Sequence, residues 1–374
     1  MIPYPESEPA LRIDNLRRRM EEAGLSALLV YSKQWKAEVI HYVSNYRMLG
    51  EYAYCLIPID AEPILYIAEP GDMQRAVSES WVKDIQVIAA EDPYLPIGDC
   101  MRFKGKIGVV GTENMDSSAY RTIADTLGDR ATNAYSLVDN AAKTKSEWEL
   151  KHIEIGGKLA DMGFRAELAA ARIGIKEFEL AAEINYEMLA NGADDNFQMF
   201  SAGKNLDCMH TPRENMLEEG DLILAEITPC IGSMNYASQL CRTTKVGTVT
   251  ALEVEKYGLL ATALEESLSI MKPGLPIREI ALKQNEIIGA AGYEKYCHPP
   301  FMRVRGHNFG LGLIELTEDV EGVLLPGMAM VVHPNQYIPE IGYLACGETV
   351  YVTDTGIMRV NAMPAKLYEV EVSI

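Results

Sequence analysis

Three histidines in the second half of the chain lie in segments that could supply chemistry. They are His210 in CMHTPREN, His307 in RVRGHNFGLG and His333 in VVHPN. Glu226 follows the apolar run LILA, where a carboxylate needs a partner if it is buried. Because imidazole titrates near neutral pH, these residue types predict proton transfer by histidine and carboxylate. Pairing of Glu226 with His307 or His333 in a purely structural role is the alternative.

The first part of the chain predicts a small α/β domain that precedes these segments. Residues 9–23 have helical spacing and Gly24 is a natural stop. LSALLVY predicts a buried strand, and AYCLIPIDAEPILYIAE predicts two strands joined by a turn at DAEP. SSAYRTIADTLG predicts a helix with a serine cap and a glycine end.

The second part changes character at a long helix. Ser146 and Glu149 form the pattern of a capping box at its start. A second helix ends at Gly192, strand-rich segments follow over 195–247, and two helices are predicted near 251–292. Helices and paired strands alternate without a regular βαβ rhythm, which indicates an α+β fold. No dinucleotide fingerprint or P-loop occurs.

Bulk composition excludes several classes of protein. A chain of 374 residues predicts two domains, and its net charge of −20 argues against nucleic acid as a partner. No apolar run reaches the roughly 18 residues of a membrane span, and the N-terminus lacks an apolar signal core, so a cytoplasmic protein is expected. Seven cysteines without framework spacing indicate reduced thiols. Cys208, Cys241 and Cys346 fit small buried residues better than nucleophiles.

The order of the later segments carries a resemblance to a known family. EEGDLIL, YASQLCRT, RGHNFGLG, LPGMAMVV and CGETV follow one another along the chain. They resemble the pita-bread family, the peptidase M24 superfamily, which includes aminopeptidase P, prolidase and creatinase. The resemblance implies a creatinase-type N-terminal α/β domain over residues 1–140 and a pita-bread catalytic domain over 141–374. It also implies a homodimer that acts on a small-molecule substrate.

The metal ligands of that family are largely replaced in this chain. The family's peptidases bind two metal ions through two aspartates, one histidine and two glutamates, and the ions activate a water between them. The matching residues here are, in chain order, Glu226, Gln239, His307, His333 and Gly347. Because glutamine carries no charge and glycine offers no ligand, the resemblance predicts that the two-metal centre is lost.

The residues that are left resemble the site of creatinase, whose histidine equivalent to His210 is a general acid/base. The resemblance therefore implies hydrolysis of a C–N bond in a small polar substrate without a cofactor. In this hypothesis His210 moves a proton between water and the leaving nitrogen, while His307 and His333 polarise the carbonyl or amidine. The carboxylates predicted to orient His210 or the substrate are Glu226, Glu315 and Glu348.

Two other functions stay open. Glu226, His307 and His333 make a set of two histidines and one carboxylate, the composition of open zinc or non-haem iron sites. A hydrolase or lyase with one Zn or Fe ion is therefore the first alternative. The second is a pita-bread domain without catalytic activity that binds a partner.

Four residues are predicted to bind the substrate. Tyr46 and Arg47 lie where creatinase-like enzymes contribute residues to a partner subunit's site, and an arginine there would suit a carboxylate. Arg305, like its neighbour Arg303, precedes His307 and would suit an anionic group. Gln239 is also predicted to contact the substrate, because it stands where the family has a metal ligand.

Overall fold

The computed structural model describes residues 2–371, which divide into two compact units. The first comprises Ile2–Lys143 with Gly310–Gly312, and the second comprises Thr144–Phe309 with the chain from Leu313 onward. Among the described residues, no helix is long and apolar enough to cross a membrane.

The first unit is a six-stranded mixed sheet with helices. Its helices are α1 (Ser7–Glu22), α2 (Glu38–Ser44), α3 (Met73–Glu79), α4 (Leu95–Asp99), α5 (Ser117–Leu127) and α6 (Tyr135–Ala142). Its strands are β1 (Leu25–Lys33), β2 (Tyr52–Pro58), β3 (Ile64–Ile67), β4 (Asp84–Val87), β5 (Lys106–Val110) and β6 (Ala131–Asn133). The strand order is β4-β3-β2-β1-β5-β6. This confirms the predicted α/β architecture.

Strand β1 is buried on both faces of this sheet. Leu28 and Val30 belong to one apolar cluster, whereas Ala27, Leu29 and Tyr31 belong to the cluster on the other face. Successive side chains of a strand point to opposite faces, so a strand covered on both sides reads as a continuous apolar run. The sequence LSALLVY predicts this placement for that reason.

The start of α5 differs from the prediction in one detail. The N-cap is Asp116, whose carboxylate accepts hydrogen bonds from the backbone N–H groups of Ser118 and Ala119 at 2.7 and 2.8 Å. The predicted serine cap is therefore wrong, because the aspartate one residue earlier reaches both free amides and its charge suits the helix start.

Up to residue 371, the second unit contains four long helices and ten strands. The helices are α7 (Glu147–Ala170), α8 (Glu177–Ala190), α9 (Ala251–Ser269) and α10 (Arg278–Ile288). The strands are β7 (Asp195–Gly203), β8 (Leu222–Cys230), β9 (Leu240–Val246), β10 (Gly306–His307), β11 (Ala329–Val332), β12 (Gln336–Ile338), β13 (Gly342–Leu344), β14 (Gly347–Val352), β15 (Ile357–Arg359) and β16 (Tyr368–Val370). The predicted capping box opens α7, with Ser146 and Glu149 bonded reciprocally at 3.2 and 2.9 Å.

Six strands form the main path of an eight-stranded sheet in the order β10-β11-β14-β9-β8-β7, with β15 beside β14 and β16 beside β9. The α+β prediction for this unit is confirmed.

The helices of the second unit cover one face of its sheet. Phe164 of α7 and Ile184 of α8 share an apolar cluster with Ile223 and Ile227 of β8. Helices α9 and α10 share another with residues of β11 and β14, including Val332 and Val350. Because side chains alternate along each strand, Leu224 and Glu226 point to the face that these helices do not cover.

Candidate active site

The candidate site is built on one row of residues across the sheet. Glu226 of β8 pairs with Cys241 of β9, and Cys241 pairs with Gly347 of β14. His333 lies against Gly347, since a Cβ added to this glycine would be 2.4 Å from the Cβ of His333. The row thus brings together Glu226, Gly347 and His333 on the face away from the helices.

Glu226 lies at the wall of an open cavity of about 700 Å³. The residues that line it are Met199, Asp207, Cys208, Met209, Glu226, Pro299, Pro300, Phe301, Met302, Arg303, Val304, Tyr337 and Tyr343. Most of these side chains are apolar or aromatic, and the polar ones are few. Such a surface suits a small molecule that is held by shape and oriented by a few polar groups.

The carboxylate of Glu226 accepts one hydrogen bond from the side-chain amide of Asn335, at 2.6 Å. Burial raises the pKa of Glu226, and the bonds from Asn335 and Cys241 oppose that rise. Asn335 is held in turn, because its Oδ1 accepts from the backbone N–H of Cys346 at 2.8 Å. A buried carboxyl with a raised pKa at a cavity wall is suited to proton transfer. The sequence analysis missed Asn335, although it stands two residues after His333.

His307 and His333 are neighbours, with ring centres 5.3 Å apart and planes at 70°. Burial lowers the pKa of both side chains, and that of His333 falls to about 3 with the nearby His307 ring contributing. Both rings are therefore neutral at pH 7. Nδ1 of His307 lies 3.1 Å from the carbonyl oxygen of Asn308. Since a carbonyl only accepts, Nδ1 carries the proton and Nε2 is an acceptor.

This tautomer corrects one predicted role. A neutral His307 whose N–H is bonded to the backbone presents a lone pair, so it does not polarise a carbonyl oxygen. Tyr343 is a better donor, because burial raises the pKa of its phenol and keeps it protonated. Tyr343 lines the cavity, and Glu226 contributes to the raised pKa of its hydroxyl.

His210 lies near a carboxylate that the sequence analysis did not identify. Its Nδ1 lies 2.7 Å from the carbonyl oxygen of Thr211 and 3.9 Å from Oε2 of Glu177. The expected partners were Glu226, Glu315 or Glu348, none of which has this contact. Glu177 is fully buried at the start of α8 and also accepts from the backbone N–H groups of Ala202 and Arg213 at 2.9 and 2.8 Å. The acidic first turn of α8 was the available signal.

His210 itself is not among the residues that line the cavity, whereas its neighbours Cys208 and Met209 are. Its backbone is fixed to β7, because its N–H donates to Oγ of Ser201 at 2.7 Å and its carbonyl accepts from the N–H of Phe200. The segment that carries His210 is therefore anchored beside the cavity.

Glu348 does not belong to the site. Its carboxylate binds Arg242 at 3.1 Å and also binds Arg359. Gly347 faces Cys241 and His333, so the next residue on the strand points to the opposite face, which the helices cover. The predicted catalytic role of Glu348 is wrong because a shift of one residue exchanges the faces of a strand.

Gln239 and Arg305 are also structural. Gln239 is 1% exposed, and its amide donates to Oγ1 of Thr228 at 3.0 Å. Arg305 is equally buried, and its guanidinium donates to Asn285, to the carbonyl of Asn335 and to Gln336 at 2.6–2.9 Å. Neither side chain has a free polar group to offer, so their predicted contacts with substrate are wrong.

Glu315 lies near His307 through a backbone bridge between the two residues. Its carboxylate is partly exposed and binds Arg303, a lining residue of the cavity, at 2.6 Å. Glu315 therefore acts on the cavity through Arg303, and no direct catalytic contact is formed by its side chain.

Tyr46 and Arg47 belong to the first unit. Tyr46 is 1% exposed and donates its hydroxyl to Asp72 at 2.6 Å, so a contact with substrate is wrong for this residue. The backbone N–H of Arg47 donates to Glu79 at 3.0 Å, and its carbonyl accepts from Arg75. The role predicted for the Arg47 guanidinium stays a prediction.

The cysteines of these segments differ in exposure. Cys241 and Cys346 are fully buried, and burial raises the pKa of both thiols, that of Cys346 to about 11. They are therefore neutral side chains, as expected for small core residues. Cys208 is exposed at the cavity.

Two family profiles match the chain. The profile described as metallopeptidase family M24 matches residues 151–354, which is more than half of the chain. The chain belongs to metallopeptidase family M24. The creatinase/prolidase N-terminal domain matches residues 12–140 of the same M24 chain. Membership confirms the predicted family and the two-domain pita-bread architecture, and it places the chain in a family of hydrolases.

Relatives of this M24 chain include an Xaa-Pro dipeptidase of Pyrococcus furiosus, 24% identical over 366 residues that span 95% of this chain and 99% of the relative. The prolidase structure from Pyrococcus horikoshii OT3 superposes with a TM-score of 0.82 at 23% identity and covers 94% of this chain and 98% of its own. An Xaa-Pro dipeptidase structure from Bacillus anthracis superposes with a TM-score of 0.82 at 23% sequence identity. The match covers 96% of this chain and 99% of the other. These structures establish the shared fold.

The side chains of this M24 chain do not fit the metal centre that the family name implies. Within residues 2–371, no group of three His, Cys, Asp or Glu side chains converges closely enough to hold an ion. Gln239 is bonded to Thr228, Gly347 offers no ligand, and Glu226 is engaged by an amide. The predicted set of Glu226, His307 and His333 is not gathered as a metal site either.

Proposed function

We propose that this chain hydrolyses a C–N bond of a small substrate in the cavity at Glu226, by proton transfer between its own side chains. The observation that carries the proposal is the position of Glu226. The resemblance matches it to the first metal-ligand position of the family, and it lines the cavity and accepts a hydrogen bond from Asn335. The names of the relatives favour a peptide-type C–N bond.

Glu226 acts as general base in this mechanism. When it is ionised, its carboxylate takes a proton from a water whose oxygen forms a bond to the carbonyl carbon. Burial raises its pKa, which makes its carboxylate a stronger base than a solvated glutamate and lets the carboxyl group keep the proton until the next transfer. The Asn335 amide keeps the ionised form accessible, because its hydrogen bond favours the charged carboxylate.

The developing negative charge on the carbonyl oxygen requires a donor. Tyr343 supplies the phenolic O–H at the cavity wall, and the raised pKa keeps this proton in place. Collapse of the intermediate breaks the C–N bond, and the nitrogen leaves after it has received the proton that water lost.

His210 is the proposed second proton carrier. With Nδ1–H directed to the carbonyl of Thr211, its Nε2 takes from protonated Glu226 the proton that water lost and passes it to the leaving nitrogen.

The test begins with a panel of dipeptides and other small amides, ranked by thermal stabilisation of the protein and then by turnover. Glu226→Gln removes the base with little change in shape, and we expect at least a 100-fold loss of turnover for loss of general base catalysis. His210→Ala should lose a similar factor. Glu183→Gln, an exposed carboxylate on α8, is the matched control. Unchanged turnover in Glu226→Gln would overturn the proposal.

The absence of a metal step is part of the proposal and has its own test. Protein purified without chelator should contain well under one equivalent of zinc or iron by elemental analysis. Turnover should be the same before and after dialysis against a chelator. One firmly bound equivalent, lost together with turnover, would favour the one-metal alternative. We also propose that the protein is a cytoplasmic homodimer. Light scattering tests the oligomeric state.

A further inference from the structure

Aromatic rings form one wall of the cavity at Glu226. Phe301 and Tyr337 both line it, with ring centres 6.1 Å apart and planes at 17°. Tyr296 packs against both, with ring centres 4.8 Å from Phe301 and 5.6 Å from Tyr337. Phe301 is 40% exposed and Tyr337 is partly exposed, so ring surface is open to a ligand.

The charged residues at the cavity are mostly carboxylates. Two carboxylates line it, Asp207 and Glu226. Among the lining residues that the structure describes, the cation is Arg303, and its charge is balanced by Glu315 at 2.6 Å. A ligand in the cavity therefore meets aromatic faces and carboxylates, with no unbalanced positive group.

We propose that the cavity binds its substrate through an alkylated ammonium group, which lies on the rings of Phe301 and Tyr337 and faces the carboxylate of Glu226. The negative faces of aromatic rings attract cations whose hydration is weak, and quaternary ammonium groups fulfil that condition. This inference rests on the proposed function, since it names the substrate class for the same cavity.

The surroundings of Glu226 favour a cation over a neutral apolar ligand. The buried carboxylate of Glu226 has neutral partners, because its hydrogen bonds come from the amide of Asn335 at 2.6 Å and from the thiol of Cys241. A substrate cation supplies the charge that the bound metal ions supply in other proteins with carboxylate-lined sites.

Binding of a matched pair of probes tests the inference without any turnover. Choline carries a trimethylammonium group, and 3,3-dimethylbutan-1-ol has the same shape without the charge. Calorimetric titration of the full chain at pH 8 should show choline bound about 3- to 30-fold more tightly, the range expected for a cation on aromatic faces.

Variants of the wall assign the preference to the rings. Tyr337→Leu and Phe301→Leu should each reduce the preference for choline by about threefold or more, while Tyr337→Phe should keep it, because the ring and not the hydroxyl is required. Phe178→Leu is the matched control, since Phe178 is 41% exposed on α8 and does not line the cavity. Glu226→Gln should lower choline affinity and leave the affinity for the alcohol unchanged.

The outcomes separate this inference from the proposed function. Equal affinity for the two probes, or no measurable binding of choline, overturns the inference even if small amides are hydrolysed. A preference for choline that survives both leucine variants also overturns it. A charge preference that depends on the rings, in a protein that hydrolyses no C–N bond, supports the inference and overturns only the proposed function.

Discussion

Asn335 donates its side-chain amide to Oε1 of Glu226 at 2.6 Å, and this bond holds the carboxylate at the cavity. The same asparagine accepts from the backbone of Cys346 and, through its carbonyl, from Arg305. Asn335 lies in the segment after β11, and it thereby connects Glu226 to the residues that directly precede β10 and β14.

Replacement of Asn335 by alanine should raise the pKa of Glu226 further, because the hydrogen bond that favours the carboxylate is lost and burial is kept. The acidic limb of the pH–rate profile should move to higher pH. Carbon-13 NMR of labelled glutamate measures the same shift without a substrate. A pKa that falls or stays constant would contradict this role of Asn335.

Gly347 leaves room for His333, and a larger residue should disturb the sheet. Gly347→Ala would place a Cβ 2.4 Å from the Cβ of His333 and 2.7 Å from the carbonyl oxygen of Val332, so we expect a loss of about 1–3 kcal/mol in unfolding free energy. Denaturant unfolding measures it. The control is Gly258→Ala in α9, where an added Cβ meets no atom within 4 Å and should stabilise the helix slightly.

Glu348 should be important for stability and not for chemistry. Glu348→Gln leaves the buried guanidinium of Arg242 without its charged partner, and breaking such a pair costs about 3–5 kcal/mol. Glu265→Gln removes another partner of Arg359 at 2.9 Å, but Glu265 is 53% exposed and the loss should stay below about 1 kcal/mol. Turnover per folded molecule should be unchanged in both variants. A selective loss of turnover in Glu348→Gln would restore its catalytic role.

Glu167 of α7 should make stability depend on pH. It is fully buried, one oxygen accepts from Thr244 at 2.8 Å, and burial raises its pKa to about 8. The folded state therefore holds this proton more tightly than the unfolded chain. The contribution of Glu167 to the free energy of unfolding is complete below pH 4.5 or so. It is lost as the pH rises to about 8, by up to ~1.4 kcal/mol per pH unit.

Glu167→Gln stays neutral throughout and should flatten that decline, which urea unfolding at pH 5 and pH 8 would show. The exposed Glu183→Gln should keep the slope of the native protein. Identical slopes in Glu167→Gln and the native chain would mean that Glu167 is ionised in the fold.

Several elements could be predicted because local residues determine them. The capping box of Ser146 and Glu149 starts α7 by bonding free amides within one turn. The apolar run of β1 predicts a strand buried on both sides, and that is where it lies. The ordered motifs of the second half were specific enough to identify the M24 fold.

The partners of the site residues could not be predicted, because they come from distant parts of the chain. Asn335 meets Glu226 across 109 positions of sequence, and Glu177 reaches His210 from the start of another helix. The choice between Gly347 and Glu348 as the residue that faces the site depends on the pairing register of β14. Periodicity alone does not specify that register.

The sequence by itself determined the family, the two units and the loss of charged ligands at Gln239 and Gly347, because these follow from residue identity and order. The tertiary structure decided which side chains are available for chemistry. In the folded chain Glu348 is buried in an ion pair with Arg242, and Arg305 is buried with its guanidinium bonded to Asn285. Glu226 lies at the cavity with an amide partner. The physical reason is that burial and hydrogen bonding, which set the charge and the freedom of each group, depend on packing between segments far apart in the chain.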